Sequence, residues 1–326
     1  MKLFQYSRPA AQKEAITALT KEPGAAFIAG GTNLLDLMKR QVVSPEKLVD
    51  ITRLPLRDIT LSNSNVHIGA LALNSVVAEH PLVLKHIPLL SYALNAGASA
   101  QLRNMATVGG NLLQRTRCSY FYDVAMPCNK RVPNSGCGAL QGFNRMHAIF
   151  GASEHCIAVN PSDMNVALAA LDATVQVSSS KGNRTIPIAD FHRLPGDKPE
   201  LDTTLAPNEL ITGVTIPVSP FAKKAYYLKV RDRASYAFAL VSVAAALETD
   251  GNTIRQARLA MGGVAHKPWR LTAAEQFLKG KPISEASFQQ AAALAMQGAK
   301  AYEHNAFKLK LAPNSIIQSL QMAAAK

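Results

Sequence analysis

The sequence predicts an α+β chain in two parts, residues 1–219 and residues 220–326. Three observations carry that expectation. An apolar run at 25–29 leads through Gly30-Gly31-Thr32-Asn33 into a helical stretch, and a second glycine pair follows at Gly109-Gly110. Alternating strand-like segments close the first part near 174–177, 184–188 and 209–216. Beyond Pro217 and Pro220 the texture changes to a long apolar strand, a hairpin turn and two helices.

Taken in order, residues 9–21 read as a helix with Ala11, Ala15, Ala18 and Leu19 on one face, stopped by Pro23-Gly24. Residues 25–29 form a short buried strand, 34–39 a helix and 48–51 the next strand. Residues 66–70 are a strand, 74–78 a short helix, and 81–94 a longer helix ending near Asn95 and Gly97. The stretch from 112 to 157 is rich in turns, and an irregular loop of that length needs something to order it. Residues 157–159 then read as a strand, and Asp163 opens a helix through Leu171. Residues 178–183 turn between two strands, and 191–208 form a surface loop. The second part holds strands at 225–231, 237–248 and 253–261 around the turn Thr249-Asp250-Gly251-Asn252. Helices near 271–279 and 284–298 cover one face of this three-stranded sheet.

Hydrophobic residues make up 48% and charged residues 17%, a globular composition. No apolar run reaches the roughly 18 residues that span a bilayer, so no membrane insertion is expected. The start, Met1-Lys2-Leu3-Phe4-Gln5-Tyr6-Ser7, has no apolar signal core, so no export signal of its own is expected. The formal net charge of +13 is dispersed, without the basic and aromatic motifs of a nucleic-acid module. It suits an acidic partner better than nucleic acid.

Glycine pairs admit backbone geometries closed to other residues and let a ligand touch the main chain. A strand, two glycines, a polar cap and a helix make an anion site, so both segments are candidates for holding the phosphates of a large cofactor. Neither belongs to a G-x-G-x-x-G fingerprint or a nucleotide-triphosphate loop. Cys118, Cys128, Cys137 and Cys156 are the whole cysteine supply, bunched within 39 residues. Four soft ligands suit an iron–sulfur cluster or zinc, and the spacing also admits two disulfides or unlinked thiols. His147 and His155 could replace a ligand but read as loop histidines. Ser235, Asp232 and His266 are not framed as a triad, so no catalytic residue is assigned. Phosphate-cradling loops beside clustered thiols, without acid–base apparatus, suggest an electron carrier whose chemistry belongs to its cofactors.

Ile28-Ala29-Gly30-Gly31-Thr32-Asn33-Leu34 resembles the first flavin loop of the FAD-binding subunits of molybdenum hydroxylases, the family of xanthine dehydrogenase medium chains and carbon monoxide dehydrogenase flavoproteins. Residues 98–112, ending in Thr107-Val108-Gly109-Gly110-Asn111-Leu112, resemble its second loop. Asn160-Pro161-Ser162-Asp163, Lys229-Val230-Arg231-Asp232-Arg233-Ala234 and Gly262-Gly263-Val264-Ala265 resemble further signatures, so the likeness covers essentially the whole chain. Asn33 stands where many members have Asp, and its amide can still hydrogen-bond. The cysteine-bearing loop 112–157 narrows the likeness to the FAD-binding subunit of bacterial three-subunit aldehyde oxidoreductases of the periplasmic type.

The resemblance implies a two-lobed FAD-binding domain of the PCMH type over 1–219 and a C-terminal domain of the carbon monoxide dehydrogenase flavoprotein type over 220–326. It implies FAD contacts from Ala29, Gly30, Gly31, Thr32, Asn33, Leu34, Thr107, Gly110, Asn111, Ser162, Asp163, Ile211 and Lys229. It also implies a [4Fe–4S] cluster on Cys118, Cys128, Cys137 and Cys156. The implied partners are a large subunit with the molybdenum cofactor and a small [2Fe–2S] subunit, in a heterotrimer. Aldehyde and water would become carboxylic acid in the large subunit, and this chain would pass the electrons on without oxidising aldehyde alone. Its place would be the periplasm, reached folded with a signal-bearing partner, with the cytoplasm as the alternative. The alternatives in function are a stand-alone FAD-dependent oxidase or reductase and a zinc-stabilised nucleotide-binding scaffold.

Overall fold

The structure, a computed structural model, describes residues 2–218 and 220–326. The first sheet is parallel: β1 (Gln5–Ser7), β2 (Ala25–Ile28) and β3 (Lys47–Asp50), in the order β1-β3-β2. Helices Gln12–Lys21 and Leu34–Lys39 connect the strands. Ala15 and Ile16 of the first helix pack with Val49, Ile51 and Leu54 beside the sheet. β1 has three residues, too few for an alternating pattern to register in the sequence.

The second sheet is antiparallel, ordered β4-β5-β8-β6-β7. It comprises β4 (Ile59–Ser62), β5 (Asn65–Gly69), β6 (Thr174–Ser179), β7 (Gly182–Pro187) and β8 (Leu210–Pro217). The single helix expected over 81–94 is two, Pro81–His86 and Pro88–Ala96. Pro88 has no N–H to continue the ladder and restricts the residue before it, so Ile87 turns out of helical geometry at φ −142°. The strand expected at 157–159 is absent; Ile157 accepts one bond from Ala148 N at 2.9 Å in otherwise irregular chain.

The third sheet has four strands rather than three: β9 (Ala225–Val230), β10 (Val241–Asp250), β11 (Thr253–Gly262) and the two-residue β12 (Trp269–Arg270), ordered β12-β11-β10-β9. β10 begins at Val241, four residues later than expected. Its Val241, Val243, Ala245 and Leu247 face helices Thr272–Leu278, Glu285–Ala295 and Lys308–Ala324. Its Ala244 and Ala246 face the other way, into a core shared with Val166 and Ala167 of helix Asp163–Ala170. Burial on both faces explains why β10 reads as a continuous apolar run instead of an alternating one. Helix Asp163–Ala170 is buried at every position, packed against β10 and β11 of the third sheet and against helix Pro88–Ala96. Both flanking segments of the site hang from this helix.

Candidate functional site

The first glycine loop leaves β2 and enters helix Leu34–Lys39. Gly31 has φ +70°, a left-handed turn that glycine adopts without strain. Gly30 serves a different need: a Cβ there would fall 1.8 Å from the Met105 carbonyl oxygen. It is the point where the first loop touches the second. The second loop is stitched to residues 70–74 by Val108 N to Ala72 O at 3.0 Å and Gly109 N to Ala70 O at 2.8 Å. Thr107 caps helix Val108–Leu112, its Oγ1 accepting from Gly110 N at 3.2 Å. Gly109 packs on Ala70, whereas a Cβ at Gly110 would meet only Thr107 Oγ1 at 3.1 Å.

The two loops enclose a cavity of about 590 Å³ with mostly apolar walls that include Ala29, Leu34, Ile51, Leu210 and Ile211. A second cavity of about 900 Å³ adjoins it and is lined by Asn111, Ser162, Asp163 and Lys229. Thr32, Asn33 and Gly110 border both. Asn33 Oδ1 accepts from Arg115 N at 2.9 Å, while its Nδ2 is buried without an acceptor. Asn33 borders both cavities as a residue, while its Nδ2 is shielded from them. Glycine backbone and adjoining cavities fit an extended cofactor with phosphates between them.

The structure brings all thirteen flavin candidates to these two cavities. It pairs several with one another. Ser162 Oγ donates to Asn111 Oδ1 at 2.8 Å and accepts from Asn165 N at 3.1 Å. Lys229 Nζ donates to Asp163 Oδ2 at 2.7 Å and to Ala96 O at 3.2 Å, and both partners of the ion pair are buried. Tyr227 donates its hydroxyl to Asp163 Oδ1 at 2.8 Å; burial and the Asp163 charge hold its pKa well above the usual phenol value. Sequence reasoning had Asp163 and Lys229 as separate contacts and missed Tyr227, which only the register of β9 reveals. It also missed Arg117 and Phe238, a cation–π pair at 5.1 Å on the wall of the larger cavity.

The four cysteines converge, all unlinked. Cys128 and Cys137 lie opposite one another in an antiparallel bridge. The Cys156 thiol donates to Cys137, which lowers the pKa of Cys137 to about 6 and raises that of Cys156. Burial, helped by Cys128 and Cys137, pushes Cys118 up to about 11. Backbone N–H groups of Tyr120 and Phe121 point at Cys118, those of Ala139, Leu140 and Ile157 at Cys137, and that of Ala158 at Cys156. Amide donors around clustered sulfurs stabilise thiolate forms. Among the described residues, no three His, Cys, Asp or Glu side chains close around a single metal ion. Cys118 and His147 also line the larger cavity.

Of the two loop histidines, His147 Nε2 lies 3.1 Å from Cys118 Sγ, whereas His155 faces Asp197 at 3.8 Å on the surface. His266 Nε2 lies 3.2 Å from Cys156 Sγ. Burial foremost pushes His147 down to about 4 and His266 down to about 3, so both rings are neutral at physiological pH. Asp232 pairs with Arg145 at 2.7 Å, whereas His266 lies against Cys156, so Asp232 and His266 belong to different groupings.

Residues 2–219 match the FAD binding domain in molybdopterin dehydrogenase. The chain belongs to the FAD-binding subunits of the molybdenum hydroxylases. Residues 225–323 of this flavin subunit match the CO dehydrogenase flavoprotein C-terminal domain. It is 50% identical to the aldehyde oxidoreductase FAD-binding subunit PaoB of Escherichia coli K12, over 100% of both chains. It is 30% identical to the glyceraldehyde dehydrogenase medium chain of Sulfolobus acidocaldarius, covering 86% of this chain and 83% of that one. Among solved structures, carbon monoxide dehydrogenase from Hydrogenophaga pseudoflava superposes with a TM-score of 0.78 at 26% identity, over 99% of this chain and 98% of that one. Quinoline 2-oxidoreductase from Pseudomonas putida 86 gives 0.77 at 28% identity, over 100% and 99%. The flavin subunit is thus an enzyme component, one part of an oxidoreductase.

Proposed function

We propose that this chain carries FAD and one [4Fe–4S] cluster and transfers electrons within a molybdenum-dependent aldehyde oxidoreductase. The observation that carries the reading is the position of Cys118 on the wall of the cavity that also holds Asn111, Ser162 and Asp163. One of the four thiols thus shares a space with flavin candidates. The full-length likeness to an aldehyde oxidoreductase subunit supports the substrate class.

Gly30, Gly31, Thr32 and Asn33 with Thr107, Gly110 and Asn111 would hold the phosphate and ribityl part, and Ala29, Leu34 and Ile211 an apolar end. Ser162, Asp163 and Lys229 would shape the larger cavity for the ring. Cys118, Cys128, Cys137 and Cys156 would hold the cluster, because together they supply four soft, unlinked thiol ligands. Bound there, FAD supplies two-electron and one-electron redox chemistry, and the cluster supplies one-electron chemistry.

The partners would be a large subunit with the molybdenum cofactor and a small [2Fe–2S] subunit, in a heterotrimer. In the large subunit aldehyde and water become carboxylic acid, two protons and two electrons, and the electrons leave through this chain to an external acceptor. We place the complex in the periplasm, exported folded with a signal-bearing partner; among the described residues no helix is long and apolar enough to cross a membrane. Fractionation of the native complex tests that location, and recovery only from the cytosol overturns it. Iron, acid-labile sulfide and flavin analysis of the anaerobically prepared chain tests the cofactors. About four irons, four sulfides and one FAD per chain support the reading; zinc or no metal in folded protein overturns the cluster.

A further inference from the structure

We propose that His147 and His266 each donate an imidazole N–H to a ligand sulfur, of Cys118 and Cys156 respectively, and that these two bonds raise the reduction potential of the cluster. The inference rests on the cluster reading above and adds two tuning residues to it.

The geometry is specific. His147 Nε2 stands 3.1 Å from Cys118 Sγ and His266 Nε2 3.2 Å from Cys156 Sγ. Both side chains are buried, and Nδ1 of each has no hydrogen-bond partner. A ligating thiolate can only accept, so the nitrogen facing it must carry the proton. That fixes the Nε2–H tautomer and leaves Nδ1 as a bare acceptor. The opposite tautomer would bury an unpaired N–H at Nδ1 and aim a lone pair at a thiolate.

The C-terminal domain holds both rings in place. Lys308 Nζ, fully buried, donates to His147 O at 2.9 Å and to Gly263 O at 2.7 Å. One ammonium therefore ties down the segment of each histidine. Asn305 Nδ2 adds a bond to His147 O at 3.2 Å. Ile149 N donates to Val264 O at 2.9 Å and Asn160 N to Ala265 O at 2.9 Å, fixing the approach to His266. These bonds fix the backbone from which both rings project, and burial limits the rings themselves.

When the cluster takes one electron, from reduced flavin in the protein or dithionite in the test, no bond forms or breaks. The core and its four thiolates gain one negative charge. An N–H aimed at a ligand sulfur stabilises that added charge, more so where water is excluded. Each bond should favour reduction by about tenfold, which is about 59 mV for one electron.

The test compares His147→Leu and His266→Leu with His147→Gln and His266→Gln in the full chain, purified anaerobically with its accompanying subunits. Iron content and an EPR-monitored redox titration are read together. The leucine variants should keep their iron and titrate at a lower potential, by about tenfold in the reduced-to-oxidised ratio. The glutamine variants, which keep an N–H at similar reach, should recover most of that shift. Unchanged potentials in iron-replete leucine variants overturn the proposal. Where a leucine variant loses iron, the unmutated chain with 15N-labelled histidine decides by pulsed EPR of the reduced cluster. Coupling to histidine nitrogen supports the bonds, and its absence overturns them. Iron-free wild-type protein would instead overturn the cluster reading itself.

Discussion

Alanine at Gly30 and alanine at Gly110 should have opposite signatures, because the two glycines answer different constraints. At Gly30 the new Cβ would sit 1.8 Å from Met105 O and 2.7 Å from its carbonyl carbon, both backbone atoms that cannot rotate away. The loops must part by more than an ångström. Overpacking of this kind costs about 1–3 kcal/mol, and at about 2–4 °C per kcal/mol the apparent melting point falls by several degrees. The seam between the cavities opens and flavin is lost with it. At Gly110 the Cβ would meet only Thr107 Oγ1 at 3.1 Å, inside a short helix where alanine is better than glycine by about 0.5–1 kcal/mol. The apoprotein should melt at or slightly above the wild-type temperature. Yet the methyl would point to where both cavities meet, and one steric clash with a ligand of about 1–3 kcal/mol weakens binding roughly ten- to hundredfold. The assay is melting of the apoprotein, since bound flavin would itself raise the midpoint, together with flavin retained per folded chain. Wild-type melting and flavin in Gly30→Ala would refute the loop-contact argument. Wild-type flavin affinity in Gly110→Ala would refute the placement of the ligand. Valine at both 109 and 110 is a poorer test, because Gly109 packs directly on Ala70.

Lys229→Met should destabilise the chain by about 3–5 kcal/mol, because it leaves the buried Asp163 carboxylate with neutral partners only; an unmoved denaturation midpoint would contradict this. His192 is buried and pushed down to about 4, chiefly by burial, from an ordinary 6.5. The unfolded chain then binds the extra proton between those values, so stability falls as pH drops from 6.5 to 4, by about 3 kcal/mol from this residue. Urea midpoints across that range should flatten in His192→Gln, and parallel profiles would count against it. Cys128→Ser replaces a soft thiolate by a hard, poorly ionised ligand; metal analysis should find the iron lost while flavin stays, and full iron content would remove Cys128 from the ligand set.

What the sequence made legible depended on distance along the chain. Both glycine loops were readable because the constraint is local: a strand end, a turn only glycine takes, a cap. Four thiols within 39 residues were readable because chance rarely bunches them. His266 was present in the sequence but read only as an unframed triad member, for it meets Cys156 across 110 residues and no spacing announces such a contact. Helix Lys308–Ala324 went unread because Pro313 lies inside it, and Lys-Leu-Ala-Pro-Asn looks like a breaker rather than a helix. That omission hid Lys308, and with it the means by which the C-terminal domain reaches the thiols.

The cysteine loop also answers a physical expectation. Its length suggested that something must order it, and the chain carries polar staples of its own. The Arg131 guanidinium donates to the carbonyls of Tyr120, Phe121, Val124 and Met126. Buried Lys130 donates to Pro199 O at 2.8 Å and pairs with Asp202, which Arg115 also holds at 2.7 Å. Asn129 takes an N–H from Gly136 at 2.8 Å and gives one to His155 O at 3.0 Å. Irregular backbone can be buried when side chains satisfy its carbonyls, so charge-assisted hydrogen bonds order the loop together with the apolar contacts of Phe121, Ile149 and Phe150. Arg115 links this to the flavin loops, since its amide bonds Asn33 while its guanidinium bonds Asp202. One residue thereby couples the first glycine loop to the segment that braces the thiols.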